Sequence, residues 1–415
     1  VPHLLPDQTA MVFVSTGELS GEMHAAHLVG ALQALRAERG LPPALVEGNG
    51  SQRMAAQGVR VLHDVARWSE IGIVRTFLKA PFFLRILQET ARYILSNRPD
   101  MVVLVDSRVM NLQLARTLRR SGYQGQIVYY VSPVRWESLY DPAEHARSLR
   151  NSRFRQLKQY CDLALPIYPV SLAVYDELEI PYIFPGHPLC EIARPRLSDR
   201  EFTALTGVPL SPPPLLIGAL TGSRVGEVRD IAPHVFGALK LVQEALQGET
   251  HLPPLHLVAS VAHPELKREL LAAARRARLD GLTLLDGEYT YDLMARAKLM
   301  IVKSGTGLHE CMLLGVPALM CYRVAPSVAW IARHVMRFKM PFYGFPNLLA
   351  GRAVVPELVQ EECRYTRIAE TAGELLFDEA QRAEMLAAFD ELRTRVCRPH
   401  PLRTAATALQ DRLER

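Results

Sequence analysis

The chain has 415 residues, a formal net charge of +5 and 49% apolar residues, enough material for two cores of ordinary size. The mild charge argues against a dedicated nucleic-acid binder, and no uncharged apolar stretch of about twenty residues is present to span a membrane. Residues 1–10 have neither a basic region nor a long apolar run, so no signal peptide is expected. The six cysteines (161, 190, 311, 321, 363 and 397) show no CxxC or metal spacing. They read as free, buried thiols in a reducing compartment.

Residues 11–14 form an apolar run, the first predicted strand, and a helical period runs from His24 to Arg39. Between them lies Ser15-Thr16-Gly17-Glu18-Leu19-Ser20-Gly21-Glu22. Such a strand-to-helix loop is where doubly wound folds keep a ligand crevice. It is not GxGxxG, and no acidic residue stands at the spacing a nicotinamide site needs, so no such cofactor is expected. Glu18 and Glu22 read either as catalytic or substrate-orienting acids, or as favourable charges at a helix start. A second strand covers 45–48.

The segment 71–87 places large apolar residues on nearly every side, punctuated by Arg75, Lys79 and Arg85. Either it lies in a membrane interface, with Ile73, Val74, Phe77, Leu78, Phe82 and Phe83 entering lipid, or it is a core helix whose basic side chains snorkel out. Residues 101–105 are a continuous apolar strand ending in Asp106-Ser107-Arg108, with Asn111 on the next helix. At the carboxyl end of a parallel strand, Asp106 is either a general base for an acceptor hydroxyl or a helix cap. Strands are predicted at 127–131, 163–167 and 182–184, with a basic helical stretch at 147–158.

A proline-rich linker is expected over 194–214. A second alternating pattern follows. Strand 215–220 ends in Thr221-Gly222-Ser223-Arg224, where an arginine fork suits a diphosphate. Strands are expected at 255–260, 282–285, 299–302 and 318–322. After 299–302 come Ser304, Gly305, Thr306 and Gly307, a small-residue turn that opens a helix carrying Glu310. Backbone N–H groups there can approach an anion, and a carboxylate at 310 suits the vicinal hydroxyls of a ribose. Glycines at strand ends are also ordinary in any parallel α/β protein. A basic aromatic helix is expected over 330–338, a compact polar loop over 345–352, and helix from 357 onward.

Taken together, these motifs resemble lipid-A-disaccharide synthases, GT-B glycosyltransferases of family 19. The similarity runs from about residue 11 to about 365. It rests on 15–22, Ile-Gly-Ile-Val at 71–74, Asp106 with Asn111, Tyr-Val-Ser-Pro at 130–133, Gly-His at 186–187 and Gly-Ser-Arg-Val-Gly-Glu-Val at 222–228. Ser-Gly-Thr-Gly-Leu-His-Glu-Cys-Met-Leu at 304–313 and Pro-Asn-Leu-Leu-Ala-Gly-Arg at 346–352 with Glu-Leu-Val-Gln-Glu-Glu-Cys at 357–363 are the most specific blocks.

The resemblance implies an α/β protein of two Rossmann-like parallel-sheet domains facing each other across a cleft. Residues 1–193 would form the acceptor and membrane-docking domain, and 194–214 the linker. Residues 215–375 would bind the UDP-sugar, and the helices of 376–415 would pack back on the first domain or on a partner protomer. The implied reaction joins UDP-2,3-diacylglucosamine to 2,3-diacylglucosamine 1-phosphate as a β-1,6 disaccharide, releasing UDP, with inversion and without a metal or other cofactor. Asp106 matches the important aspartate and Glu18 is the second acidic candidate. Gly222, Ser223, Arg224, the 304–307 turn and Asn347 would hold the diphosphate and nearby sugar, and Glu310 the ribose. The implied setting is cytoplasmic, on the inner face of the membrane and against its lipids, as a monomer or a dimer with C-terminal exchange.

The sequence departs from the family pattern at Gly21-Glu22, 104–110 and 132–138, all in the acceptor half. A divergent UDP-sugar glycosyltransferase making another membrane glycolipid, a UDP-sugar 2-epimerase-like enzyme, and a UDP-binding protein without turnover are the competing readings.

Overall fold

Continuous apolar runs of five or six residues become parallel strands when helices cover both faces of the sheet. The computed structural model describes residues 9–66, 80–136, 142–150, 152–325, 329 and 341–414. It divides into two compact units, Val1–Glu191 with Val396–Arg415, and Ile192–Arg395.

The first unit holds β1 (Met11–Thr16), β2 (Leu45–Gly50), β3 (Arg60–Asp64), β4 (Met101–Val105), β5 (Gln126–Tyr130) and β6 (Leu163–Leu165). Their order is β3-β2-β1-β4-β5-β6, all parallel. The period of two along each strand separates two cores. Val12, Val14, Met101, Val103 and Val105 pack with Leu28 and Leu32 of the Leu19–Glu38 helix and Leu409 of the Pro401–Leu413 helix. Phe13, Val102 and Leu104 pack with Ile94, Leu112 and Leu118 on the opposite face.

The second unit holds β7 (Leu215–Leu220), β8 (Leu255–Val261), β9 (Leu282–Asp286), β10 (Leu299–Lys303), β11 (Ala318–Tyr322) and β12 (Glu357–Val359). Their order is β12-β11-β10-β7-β8-β9, again all parallel. Each sheet therefore has the Rossmann strand order, whose direction reverses between β1 and β4 in one unit and between β7 and β10 in the other. At such switch points the loops leaving adjacent strands part and open a crevice.

Several expectations need correction. β3 was not anticipated, because an edge strand reading Arg-Val-Leu-His-Asp is polar on its open side. β12 interrupts the helix expected from 357; three residues are too short to show a period. Residues 182–184 contribute one isolated bridge, Ala164 with Tyr182, rather than a strand. The 345–352 stretch is the helix Phe345–Ala350, with residues 345–349 buried. Within 194–214, Asp199–Thr206 is a helix started by a capping box between Ser198 and Glu201. Asp292 accepts from Arg196 N (2.8 Å) and Leu197 N (2.7 Å), fixing the backbone before that helix.

Not all of the cysteines are free thiols. Cys161, Cys311, Cys321 and Cys363 are free and buried, but Cys190 and Cys397 form a disulfide. They lie 207 positions apart in sequence, and spacing alone carries no sign of the pairing. The chain leaves the first unit after Glu191 and re-enters at Val396, which brings the two Cα atoms to 5.8 Å. The returning segment is anchored further by His187 N donating to Val396 O (2.9 Å) and by a buried contact between Arg36 Nη1 and Gln410 Oε1 (2.8 Å).

Candidate active site

In the first unit, β1 and β4 pair so that Thr16 lies opposite Val105. The loop 17–21 thereby meets the turn at Asp106 and Ser107. Both turn residues have left-handed backbones, with φ of +52° and +43°. For a residue with a side chain this conformation is costly, and it persists only where the surroundings over-determine it. Asn111 supplies much of that constraint. Its Nδ2 donates to Ser15 O (3.2 Å), Val105 O (3.0 Å) and Asp106 O (3.0 Å), while its Oδ1 accepts from Ser15 Oγ (2.9 Å). Tyr129 Oη also donates to Asp106 O (2.6 Å). The loop glycines permit the approach. A Cβ on Gly17 would fall on the Ser107 side chain, and one on Gly21 would lie 3.3 Å from Asp106 Cβ.

Burial raises the pKa of Asp106, opposed by the Ser107 backbone N–H and by the charge of Arg108. A partly desolvated carboxylate of raised pKa is a stronger base once ionised. The N-cap position of the helix that follows is taken by Ser107 rather than Asp106. Arg108 Nη1 donates to Val134 O (3.2 Å), tying together two of the segments that depart from the family pattern. Beyond them Trp136, Tyr168, His187 and His24 form a chain of ring contacts with centroids 5.1, 5.0 and 5.8 Å apart. Burial, with His27 nearby, lowers the His24 pKa to about 4, so it is neutral at pH 7.

The two acids of the first loop separate. Glu18 is exposed and its side chain makes no cap for the Leu19–Glu38 helix. Glu22 is buried. Its Oε1 accepts from Ser51 N (2.9 Å), Ser51 Oγ (2.8 Å), Arg53 N (3.0 Å) and Met54 N (3.2 Å), which closes the turn after β2. Glu22 is therefore a structural clamp.

In the second unit, Val302 lies opposite Leu220, so the turns 221–224 and 303–307 emerge side by side. Gly222 has φ of +130° and Gly305 of +140°, positions that need glycine. The Thr306–Leu314 helix starts at this turn and directs its positive end toward it. Glu227 collects the polar groups here. It accepts from Ser223 N (3.1 Å) and from Lys303 Nζ (2.9 Å), with Arg224 Nη1 at 3.9 Å. Lys303 and Glu227 were not singled out from the sequence; a lysine ending an otherwise apolar strand was the available signal. Glu310 Oε1 accepts from Tyr291 Oη (2.9 Å).

Asn347 has all four hydrogen-bonding positions occupied. Nδ2 donates to Val355 O (2.8 Å) and Glu357 Oε1 (2.7 Å), and Oδ1 accepts from Val354 N (2.7 Å) and Val355 N (2.8 Å). This corrects the expected sugar contact: the amide has no position left for a ligand. Glu357 also accepts from Tyr343 N (2.8 Å) and Gly344 N (2.9 Å). Tyr343 O in turn accepts from Ser304 Oγ (3.4 Å). Asn347 thus shapes the loop beside the 304–307 turn. Replacing it by Ala is expected to lower stability by roughly 2–4 kcal/mol, because buried backbone groups lose their partners. Chemical denaturation would measure this; a midpoint within error of the parent would contradict it.

Ile73, Val74, Phe77 and Leu78 lie outside the described residues, as does the basic aromatic helix expected over 330–338. Phe82 and Phe83 lie on the Ala80–Asn97 helix. Phe82 is 38% exposed and Leu84 55%, whereas Phe83 packs against Val65 and Ile86. No described helix is long and apolar enough to cross a membrane. Among the described residues, no group of three His, Cys, Asp or Glu is placed to hold a metal ion.

Two Rossmann-type units, each with its polar residues at the switch point, define the GT-B class shared by sugar-nucleotide glycosyltransferases and epimerases. Solved structures agree on the fold. A UDP-GlcNAc 2-epimerase from Neisseria meningitidis bound to UDP-GlcNAc aligns with TM-score 0.56 at 11% identity, covering 98% of this chain and 99% of that one. The glycotransferase of kitacinnamycin aligns with TM-score 0.57 at 14% identity, covering 98% and 99%. The family model for lipid-A-disaccharide synthetase matches residues 12–409. Lipid-A-disaccharide synthases from Synechocystis sp. and Azotobacter vinelandii are 30% and 31% identical over 398 and 400 residues. These alignments cover 96% of this chain in both cases, and 96% and 97% of the relatives. The chain belongs to the lipid-A-disaccharide synthase family and is a hexosyltransferase.

Proposed function

We propose that this chain transfers 2,3-diacylglucosamine from UDP to the 6-hydroxyl of 2,3-diacylglucosamine 1-phosphate, with inversion and without a metal. Asp106 takes the proton from the acceptor hydroxyl as its oxygen attacks the anomeric carbon. The bond from that carbon to the diphosphate breaks, and its electron pair leaves on UDP. An α-linked donor thereby gives a β-1,6 disaccharide 1-phosphate. Arg224, the backbone of 304–307 and the start of the Thr306–Leu314 helix meet the charge on the leaving diphosphate. Glu310 holds the ribose, Gly222 and Ser223 shape the turn beneath the phosphates, and Glu18 orients the acceptor.

The observation that carries this reading is Asp106: a half-buried carboxylate whose pKa desolvation raises, held with a left-handed backbone at the carboxyl end of a central strand. The test is UDP release from UDP-2,3-diacylglucosamine with and without the acceptor. Acceptor-dependent release is expected; release at an equal rate without acceptor would contradict transfer.

Acylated substrates reside in membranes, and the reading includes docking at the inner face of the cytoplasmic membrane through the start of the Ala80–Asn97 helix. Phe82 and Leu84 point outward there, so replacing both by Ser is expected to reduce sedimentation with anionic vesicles by about tenfold. Unchanged sedimentation would remove this surface. Phe83→Ser would confuse the test, because that ring packs inward.

A further inference from the structure

We propose that Lys303 is a second cation for the leaving diphosphate, and that Glu227 is the positioning residue that holds Lys303 and Arg224 over the glycine turns until the anion arrives. The inference deepens the donor-site reading and rests on it.

Lys303 ends β10 after four buried apolar residues, Leu299, Met300, Ile301 and Val302. A lysine at that point faces a desolvation cost that only a charge partner or a ligand offsets. Its side chain is 24% exposed, and the Glu227 carboxylate at 2.9 Å is 20% exposed. The ammonium also lies 3.8 Å from the position a Gly305 Cβ would take, directly over the turn that opens the Thr306–Leu314 helix.

Glu227 gathers two hydrogen-bond donors and a nearby guanidinium. Oε1 faces the Lys303 ammonium and the Arg224 guanidinium, while Oε2 accepts from Ser223 N. Even Gly222 is shaped to it, since a Cβ there would come within 2.6 Å of Glu227 Cβ. A diphosphate needs the same set: an ammonium, a guanidinium and backbone N–H groups converging on anionic oxygens. The Glu227 carboxylate therefore offers these groups the same kind of acceptor oxygens that a diphosphate would. It keeps two cations close together that would otherwise repel, and it yields them when phosphate oxygens compete. A purely structural ion pair would contribute little to stability and nothing to ligand discrimination.

Calorimetric titration of UDP and UMP into the parent chain and its variants tests this. Lys303→Met is expected to weaken UDP binding by about tenfold or more, to change UMP binding by less than about threefold, and to leave the melting temperature near that of the parent. Lys303→Arg is expected to restore most of the UDP affinity. Glu227→Gln removes the competing charge, so UDP should bind more tightly while turnover falls. Equal UDP affinity in the parent and in Lys303→Met overturns the inference and leaves the donor site standing. A parent chain that binds neither UDP nor UMP overturns the donor reading itself. An equal loss of UDP and UMP affinity in Lys303→Met also counts against it, because general loss of surface charge would do the same.

Discussion

Replacing Asp106 by Asn is expected to lower turnover by roughly 10²–10⁴-fold, the usual weight of a general base, while UDP affinity stays at the parent value. Asparagine tolerates the left-handed backbone at 106, so the turn should survive. The same substitution is expected to raise thermal stability at neutral pH. Burial, the main cause, lifts the Asp106 pKa above its unfolded value, against the Ser107 N–H and Arg108. The folded chain then holds this proton more tightly than the unfolded chain. The group's contribution is fully present in acid, below the ordinary carboxylate pKa, and is lost as pH rises through the raised folded value. Asparagine never ionises, so the stability gap between variant and parent should widen from pH 4 to pH 8. For the parent, the acid limb of kcat/KM should lie above the ordinary carboxylate range. A variant with parent-level turnover would remove Asp106 from the base role. A gap that narrows toward pH 8 would mean that the carboxylate is stabilised rather than strained.

Gly17→Ala is the second substitution with a large expected effect. The added methyl would fall on Ser107 Oγ and lie 2.6 Å from Ser107 Cβ. Ser107 has little freedom to yield, since its own backbone is left-handed and Asn111 holds the turn from behind. The Asp106 turn must therefore shift. A displacement of about 1 Å at a reacting group costs on the order of 10²-fold in rate. Ser107→Gly in the same chain removes the obstructing side chain and suits the positive φ, so the double variant should recover most of the activity. Gly373→Ala, whose added methyl meets nothing within 4 Å, is the control: it should keep full activity and gain about 1 kcal/mol of helix stability. Steady-state rates with denaturation midpoints decide the matter. A single Gly17→Ala chain at parent rate would show that the two loops are not in close contact.

The central strands were the most legible part of the fold. Residues 101–105, 215–220 and 318–322 appear at the expected bounds, because strands covered on both faces are apolar without interruption. The edges were not legible. β3 and β12 carry charge or are too short for a period to register, and their pairing is set by neighbours far along the chain. The Cys190–Cys397 pair was hidden for a related reason, since it depends on the chain returning to its first unit after residue 395.

Among site residues, glycine turns after strands were readable because backbone geometry restricts residue choice. The division of labour between similar acids was not. Glu18 and Glu22 look alike in one loop, yet only Glu22 is buried under Ser51, Arg53 and Met54. Asn347 stands in a block that resembles the family and implies a sugar contact, yet its amide is fully engaged by its own loop. Lys303 and Glu227 carry no signal alone; their meaning comes from parallel strands that set 221–224 beside 303–307.

The most direct test of the account is the structure of the lipid made from UDP-2,3-diacylglucosamine and 2,3-diacylglucosamine 1-phosphate. A tetraacyl disaccharide 1-phosphate is expected by mass spectrometry, with a β-1,6 linkage by NMR and one UDP per product. Acceptor recovered unchanged while UDP is bound or released, or a product with an α linkage, would contradict it. Failure with this acceptor alone would direct attention to 104–110 and 132–138, where the chain departs from its family.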